Sequence, residues 1–284
     1  MAEYDLTQFE NAEALARAAA SAWLDEIERA HRAGRSYHVA LSGGRIAGVL
    51  FSEVTRQAKR RNAVLGHVHF FWADERCVPP DDADSNFRVA QQLLLDPLGI
   101  AENRIHRVRV EISPKGISRF DATDRSGASG TGVSPVRFQT HGRDARATTS
   151  AHAEADTEAA AREAEAEIRR IVPLAPDGQP MLDLILLGMG EDGHVASLFP
   201  GEPEAVVSSP AVYRVVTAPK PPPRRVTLGY GVMAAAREVW VLISGVGKEA
   251  ALRESLLPQG RTPLATVLRS RSRTRIFSDL PLKP

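Results

Sequence analysis

Apolar residues recur along the chain in segments whose spacing alternates between that of strands and that of helices. Short apolar runs predict strands at residues 37–41, 68–72, 181–187, 212–217 and 238–244. Helical spacing predicts helices at residues 9–33, 46–59, 86–95, 154–171 and 247–256. The predicted apolar face of the first helix consists of Ala14, Leu15, Ala18, Ala22, Trp23 and Ile27.

The alternation of strands with helices predicts an α/β fold, with a parallel sheet covered by helices on both faces. Residues 181–187 are nearly all apolar, as expected of a strand buried on both faces. In such sheets ligands bind beyond the carboxyl ends of the strands. Polar motifs follow the strands at 37–41, 68–72 and 181–187, so we expect a binding site where these three strands end.

Residues 113–150 break the pattern, since they are rich in Gly, Ser, Thr, Arg and Ala and show no periodicity. A loop of this length without secondary structure is usually an insertion, a lid or a disordered segment. We predict a single domain over residues 1–284 that contains a mobile insertion without a role in catalysis. A lid or a contact with a partner is the alternative.

Composition narrows the class of protein. Of 284 residues 43% are hydrophobic and 25% are charged, as in soluble globular proteins, and the net charge of +1 does not favour nucleic acid or an acidic membrane surface. The chain has no apolar run of the ~20 residues that span a bilayer, and its first residues do not resemble a secretory signal. Its single cysteine, Cys77, fits a reducing compartment. We expect a cytoplasmic protein.

The first polar motif is Ser42-Gly43-Gly44-Arg45, between a predicted strand and a predicted helix. Glycines let backbone N–H groups approach an anion, and the helix N-terminus adds partial positive charge. Arg45 adds a fork of donors that suits phosphate oxygens. A tight turn without a ligand is the alternative.

The second motif is Asp74-Glu75-Arg76, directly after the strand at 68–72. Three consecutive charged residues beside a buried strand are costly unless they are solvated or used in function. The alternative to a functional role is a solvated loop, with Ser85 or Asn86 capping the next helix.

The third motif covers residues 188–194 and ends with Asp192, Gly193 and His194. Its glycines fit a dinucleotide fingerprint, but Pro200 and Gly201 leave no room for the long crossover helix that this fingerprint requires. The motif does place an Asp and a His at the carboxyl end of a strand. A histidine, with a reference pKa near ~6.5, can take a proton from water at neutral pH, and the nearby Asp can orient its ring.

Other catalytic classes find no support in the sequence. His38, His67 and His69 lie in or beside strands, where packed or surface histidines are expected. No His, Cys or carboxylate pair has metal-ligand spacing, so we predict no metal. The absence of a G-x-S-x-G elbow argues against a serine hydrolase.

Taken in this order, the motifs resemble the 6-phosphogluconolactonase family. The matching segments are VALSGG (39–44), FFWADERCVPPDDADSNF (70–87), LDLILLGMGEDGHVASLFPG (182–201), KPPPRRVTLGY (220–230) and EVWVLISGVGKEAAL (238–252). The resemblance implies a three-layer α/β/α domain with a mostly parallel Rossmann-like sheet. That fold is shared with glucosamine-6-phosphate deaminases and ribose-5-phosphate isomerases.

The resemblance also implies an activity, namely hydrolysis of 6-phospho-D-glucono-1,5-lactone in the oxidative pentose phosphate pathway, without a cofactor. It makes His194 the water-activating base, Asp192 the acid that holds it, and Arg76 an active-site arginine. The implied substrate-binding and phosphate-binding positions are Ser42, Gly43, Gly44, Arg45, Asp74, Arg225 and Lys248. The only implied partner is the small phosphorylated sugar lactone, bound by a monomer or homodimer.

The chain departs from the family in the first motif. The family usually reads LSGGSTP, whereas Arg45, Ile46 and Ala47 follow the glycines here, so two hydroxyl donors are replaced by one guanidinium. This change suggests a non-catalytic sugar-phosphate sensor as one alternative. The other is an amino-sugar-phosphate deaminase or isomerase, although its Ala-Phe-Asn-Glu-Pro sequence is replaced here by residues 196–200, Ala-Ser-Leu-Phe-Pro.

Overall fold

The computed structural model describes residues 4–110 and 144–281, and for residues 144–155 it describes the backbone only. The strands are β1 (Tyr4–Gln8), β2 (Tyr37–Leu41), β3 (Val68–Trp72), β4 (Asp74–Arg76), β5 (Leu184–Gly188), β6 (Tyr213–Thr217), β7 (Arg224–Leu228), β8 (Glu238–Ile243) and β9 (Thr274–Ser278). The helices are α1 (Ala12–Arg32), α2 (Arg45–Arg61), α3 (Asn86–Ala90), α4 (Asp144–Ile171), α5 (Glu204–Val207), α6 (Tyr230–Ala235), α7 (Glu249–Leu256) and α8 (Pro263–Arg269). A π-helical turn, Gln91–Leu95, continues α3. Within the described ranges no helix is long and apolar enough to cross a membrane.

The main sheet has six strands in the order β1-β9-β8-β5-β2-β3, and every neighbouring pair is parallel. This confirms the predicted parallel α/β sheet. A second, antiparallel sheet of three strands in the order β4-β7-β6 was not predicted.

The side chains of β5 show how the layers are arranged. Leu184 and Leu186 lie in one core with residues of α1 and α2, whereas Ile185 and Leu187 lie in another core with residues of α4, α6, α7, α8 and the small sheet. Successive residues of a strand point to opposite faces, so β5 is buried from both sides. The molecule therefore has the three-layer α/β/α arrangement that the resemblance implies.

The predicted apolar face of α1 is shifted from the observed one. Leu15, Trp23 and Ile27 are buried as expected, but Ala14, Ala18 and Ala22 are only partly buried. The fully buried alanines are Ala16, Ala19, Ala20 and Ala30. The helix packs against both the sheet and α2. Its buried face lies between these two contacts and is centred on the larger side chains, so the alanines beside those side chains are buried instead of the predicted ones.

The proposed insertion at 113–150 needs one correction. Its residues 144–150 belong to α4, which begins at Asp144 rather than at 154. Alanine and arginine favour helix even without an apolar period, and periodicity alone therefore placed the start too late. Residues 113–143 lie outside the described residues, and the single-domain organisation stays a prediction.

The carboxyl ends of β2, β3, β5 and β8 reach the same edge of the main sheet, because these strands are parallel neighbours. Strands β2 and β5 are adjacent, with β3 beyond β2 and β8 beyond β5. The chain thus turns to opposite sides after β2 and after β5, and ligands of α/β proteins bind at such a switch point.

Candidate active site

A cavity of about 240 Å³ opens at this edge of the sheet. The predicted site residues that line it are Ser42, Gly43, Gly44, Arg45, Asp74, Arg76, His194, Arg225 and Lys248. The remaining predicted residue, Asp192, does not line the cavity but contacts His194. The fold thus brings together residues that are up to 206 positions apart in the chain, from Ser42 to Lys248.

His194 and Asp192 form a hydrogen-bonded pair in the loop that follows β5. The Nδ1 atom of His194 contacts Oδ1 of Asp192, and the same oxygen accepts from the backbone N–H of His194 at 3.3 Å. An ionised carboxylate only accepts, so Nδ1 carries a proton and Nε2 is the basic nitrogen of the neutral ring. The ring also packs against Phe199, with centroids 5.0 Å apart.

The glycines around His194 allow this loop to turn back on itself. The N–H of Gly190 donates to the carbonyl of His194 at 2.9 Å, and Met189 bridges to Val195. Gly193 has a φ of +77°, and a Cβ there would lie 2.6 Å from side-chain atoms of Thr262. The glycines of this motif therefore permit the tight loop that places the His194 side chain at the cavity.

The environment favours the neutral form of His194 and the ionised form of Asp192. Burial lowers the pKa of His194 below its ordinary value, although the hydrogen bond and charge of Asp192 act in the other direction. Burial tends to raise the pKa of Asp192, but the contact with His194 outweighs it and the pKa is lowered. At neutral pH the pair is a neutral imidazole held by a carboxylate, which is the state that a general base requires.

Asp74 and Glu75 are buried, each with 4% exposure, so the solvated-loop alternative for this motif is wrong. They lie in β4, which pairs with β7. Glu75 accepts from the backbone N–H groups of Arg76 and Asn86 at 2.8 Å and of Phe87 at 2.7 Å. Burial raises the pKa of Glu75 to about 7 against these donors. The hydrogen bonds of Glu75 with Asn86 and Phe87 hold the start of α3 against β4.

Asp74 is held by two residues that sequence analysis did not place in the site. Ser197 Oγ donates to Asp74 Oδ2 at 2.7 Å, and Asn86 Nδ2 donates to Asp74 Oδ1 at 3.2 Å. The position of Asn86 also requires a glycine at residue 43, because a Cβ on Gly43 would lie 1.8 Å from Asn86 Oδ1. Both residues stand inside the matched segments, but nothing in a single sequence distinguishes their contacts. The helix cap itself is Ser85, one of the two candidates.

Arg76 and Arg225 form the first pair of cationic side chains in the cavity. They lie opposite each other on the antiparallel strands β4 and β7, where like charges repel. Arg76 donates to the carbonyl of Asp84 at 2.7 Å, while its buried Nε has no partner among the described residues. Burial, reinforced by Arg76, lowers the pKa of Arg225. Two guanidiniums in such proximity favour the binding of an anion between them.

Arg45 and Lys248 form the second cationic pair. Burial lowers the pKa of Lys248, and the charge of Arg45 acts in the same direction. Arg45 is the first residue of α2, whose N-cap Gly44 has a φ of +96° and gives no side-chain cap. The buried hydroxyl of Ser42 has no hydrogen-bond partner within the described part of the chain. A helix N-terminus, two cations and an unused donor thus face the cavity together.

The sequence of this chain matches a known protein family over most of its length. The sequence profile described as glucosamine-6-phosphate isomerases/6-phosphogluconolactonase matches residues 10–129 and 131–276. A 6-phosphogluconolactonase of Streptomyces coelicolor is 30% identical over 268 residues, which cover 94% of this chain and 88% of that protein. One from Mycobacterium tuberculosis is 31% identical over 248 residues, covering 87% and 84%.

Solved structures show the same fold. The 6-phosphogluconolactonase of Trypanosoma brucei superposes with a TM-score of 0.76 at 23% identity and covers 98% of this chain and 97% of that one. A monomeric glucosamine-6-phosphate deaminase superposes with a TM-score of 0.67 at 17% identity and covers 96% of each chain. At these identities the structural likeness concerns the fold alone, so the sequence matches decide the family.

Proposed function

The chain belongs to the family of glucosamine-6-phosphate isomerases and 6-phosphogluconolactonases, and within it we propose that this protein hydrolyses 6-phospho-D-glucono-1,5-lactone to 6-phosphogluconate. The relatives at 30% and 31% identity carry the name of that enzyme. One observation carries the proposal: a histidine oriented by a carboxylate faces the same cavity as two cationic pairs. A water-activating base is thus combined with sites for an anionic substrate.

In the proposed reaction His194 acts through Nε2, while Asp192 holds the proton on Nδ1. Nε2 takes a proton from water as the water oxygen bonds to C1 of the lactone, and the carbonyl electrons move to the carbonyl oxygen. The oxyanion electrons then re-form the carbonyl as the bond from C1 to the ring oxygen breaks. His194 returns the proton to that oxygen, which becomes the C5 hydroxyl, and the new carboxylic acid at C1 releases its own proton to solvent. A positioned general base typically contributes ~10² to 10⁴ in rate.

The cationic pairs support this step in two ways. A cation near C1 stabilises the negative oxygen of the tetrahedral intermediate. Cations from both pairs bind the phosphate at the other end of the substrate, and this remote binding energy orients the lactone. We propose that Arg225, Lys248 and Arg45 serve the phosphate with the Ser42–Gly44 turn, and that Arg76 serves the phosphate or the developing carboxylate.

The test is lactone hydrolysis by the purified protein, measured against a blank for spontaneous hydrolysis. The proposal expects rapid opening of the phosphorylated lactone and much slower opening of δ-gluconolactone. Turnover of glucosamine 6-phosphate in its place would show the deaminase alternative. Binding of 6-phosphogluconate without turnover of either compound would show the sensor alternative.

Several attributes of the proposed enzyme stay predictions, among them a cytoplasmic location, the absence of nucleic-acid partners and of a cofactor, and a monomeric or homodimeric state. In the described ranges no group of three or more His, Cys, Asp or Glu side chains is arranged to hold a metal ion.

A further inference from the structure

Ser197 lies between a buried carboxylate and a buried guanidinium. It is fully buried, three residues after His194, and its backbone N–H donates to Thr227 Oγ1 at 3.2 Å. Its hydroxyl donates to Asp74 Oδ2 at 2.7 Å and accepts from Arg225 Nη1 at 3.5 Å. One hydroxyl thus contacts both charged side chains.

Arg225 has an unusual set of partners for an arginine with 5% exposure. Besides Ser197, its N–H groups donate to backbone carbonyls, from Nε to Pro222 at 3.0 Å and from Nη2 to Lys220 and Pro221 at 3.4 Å. Among the described residues none of its hydrogen-bond partners is a carboxylate. A buried cation whose hydrogen bonds all go to neutral groups is incompletely compensated, although the charges of Asp74 and Asp84 act on it from a distance. An anionic ligand in direct contact would relieve the remaining cost.

Asp74 is close enough to affect Arg225 electrostatically, since its charge acts to raise the pKa of Arg225. Its two oxygens are nevertheless occupied by neutral donors, Ser197 on Oδ2 and Asn86 on Oδ1. A direct contact between carboxylate and guanidinium would form a strong, charge-assisted pair. Such a pair would neutralise Arg225 before any substrate arrived.

We propose that Ser197 is a positioning residue that keeps Asp74 from pairing with Arg225, so that the charge of Arg225 stays available to an anionic group of the substrate. Without the hydroxyl, the buried Oδ2 of Asp74 would lack a donor, and the N–H of Arg225 on the other side of that hydroxyl would replace it. Which anionic group of the substrate binds Arg225 rests on the proposed function. The separation of the Asp74 and Arg225 charges by Ser197 is independent of that function.

The experiment compares two variants of equal shape, Ser197→Thr, which keeps a hydroxyl, and Ser197→Val, which lacks one. Inorganic phosphate is titrated calorimetrically into each protein at neutral pH. We expect phosphate to bind Ser197→Val at least about tenfold more weakly than Ser197→Thr, since a charge pair has formed in its place. Thr274→Val is the matched control, because it also replaces a buried threonine hydroxyl by a methyl group, at the start of β9. It is expected to leave phosphate binding unchanged.

A double-mutant cycle with Asp74→Asn separates charge pairing from a general loss of structure. In the Ser197→Val background this substitution removes the carboxylate that captures Arg225, so it should recover most of the lost phosphate affinity. In the Ser197→Thr background the gain should be clearly smaller. If the added methyl prevents both variants from folding, Ser197→Ala against the wild type gives the same comparison.

Two results would overturn the inference: equal phosphate affinity of the hydroxyl-bearing and hydroxyl-free variants, or an equal gain from Asp74→Asn in both backgrounds. A failure of the proposed function looks different. In that case the wild type would open no lactone while the phosphate affinities still followed the expected order.

Discussion

A methyl group on Gly190 would lie 2.0 Å from the Cε1 and Nδ1 atoms of His194, so the imidazole packs directly on the backbone of its own loop. The same methyl group would lie 2.7 Å from Oδ1 of Asp192. Contacts this short exclude any side chain at Gly190 while the histidine keeps its position. The orientation of the proposed base therefore depends on a glycine that itself takes no part in the chemistry.

Gly190→Ala should displace the His194 ring and break its contact with Asp192. We expect kcat for the phosphorylated lactone to fall by about 10², as for loss of a general base. Gly66→Ala is the control, because a Cβ at Gly66 meets no atom within 4 Å. A kcat of Gly190→Ala close to that of the control would show that the ring position does not matter for turnover.

His194→Ala removes the proposed base directly and should lower kcat by about 10² or more. The side chain is only partly buried, so the melting temperature should change little. His31→Ala, at an exposed position of α1, is the matched control and should retain full activity. Steady-state rates of His194→Ala within about threefold of the wild type would remove His194 from the mechanism.

The pH dependence of kcat/KM should report the lowered pKa of His194. Only the neutral ring accepts a proton, so activity rises with pH through this pKa, which lies below the ordinary 6.5 because of burial. Asp192 acts to raise the pKa, and Asp192→Asn should therefore move the acid limb to lower pH while lowering kcat. An acid limb that stays in place in Asp192→Asn would mean that another group controls it.

Sequence patterns predicted four of the six strands of the main sheet, β2, β3, β5 and β8, because buried parallel strands are short, almost purely apolar runs. The other two strands, β1 and β9, were not predicted. The bounds of β2 and β3 were predicted to the residue. Strand β4 was also missed, because its residues are the charged Asp74, Glu75 and Arg76. The burial of its two carboxylates depends on donors from α3 and from the loop after β5. Such tertiary compensation leaves no periodic signal in the chain.

The residues that line the cavity could largely be expected from the polar motifs and the family resemblance, but the contacts between them could not. Polar residues after three strand ends point to a shared edge, and residues of all three motifs line the cavity there. The contact of Ser197 with Asp74 joins residues 123 positions apart, and the pairing of Arg76 with Arg225 depends on the unpredicted strand β7. The first relation depends on how the loop after β5 folds against β4, and the second depends on the register of the small sheet. A single sequence reveals neither.

The phosphate end of the site can be tested by comparing two substrates. Lys248→Ala and Arg225→Ala should each raise KM for the phosphorylated lactone by about tenfold or more and hardly change kcat/KM for δ-gluconolactone, because these cations pair only with the phosphate. Arg45→Ala should act in the same direction. Arg60→Ala, on the exposed surface of α2, serves as a charge-matched control. Equal losses on both substrates would place these residues in packing instead of phosphate binding.

Three histidines that do not line the cavity, His38, His69 and His106, form a row of neighbouring rings at the β2–β3 side of the sheet. His38 and His69 are paired across β2 and β3 with ring centroids 5.3 Å apart, and His69 Nδ1 contacts His106 Nε2 at 2.9 Å. The row ends on carboxylates, with His38 Nδ1 3.3 Å from Asp183 and His106 Nδ1 2.8 Å from Glu167 of α4. These contacts require that at least part of the row be neutral, because adjacent imidazolium rings repel.

The row should make the fold sensitive to acid. Burial, followed by the charge of Arg104 and of the neighbouring histidines, lowers the pKa of His69 from 6.5 to about 4. Between these values His69 binds more protons in the unfolded chain than in the folded one. Its contribution to the free energy of unfolding is therefore fully present above 6.5 and is lost as the pH falls toward 4. His69→Gln cannot take up this proton, and its melting temperature should fall less between neutral pH and pH ~5 than that of the wild type. The exposed-site variant His31→Ala should keep the wild-type dependence, and identical acid sensitivity in all three proteins would show that the row does not control it.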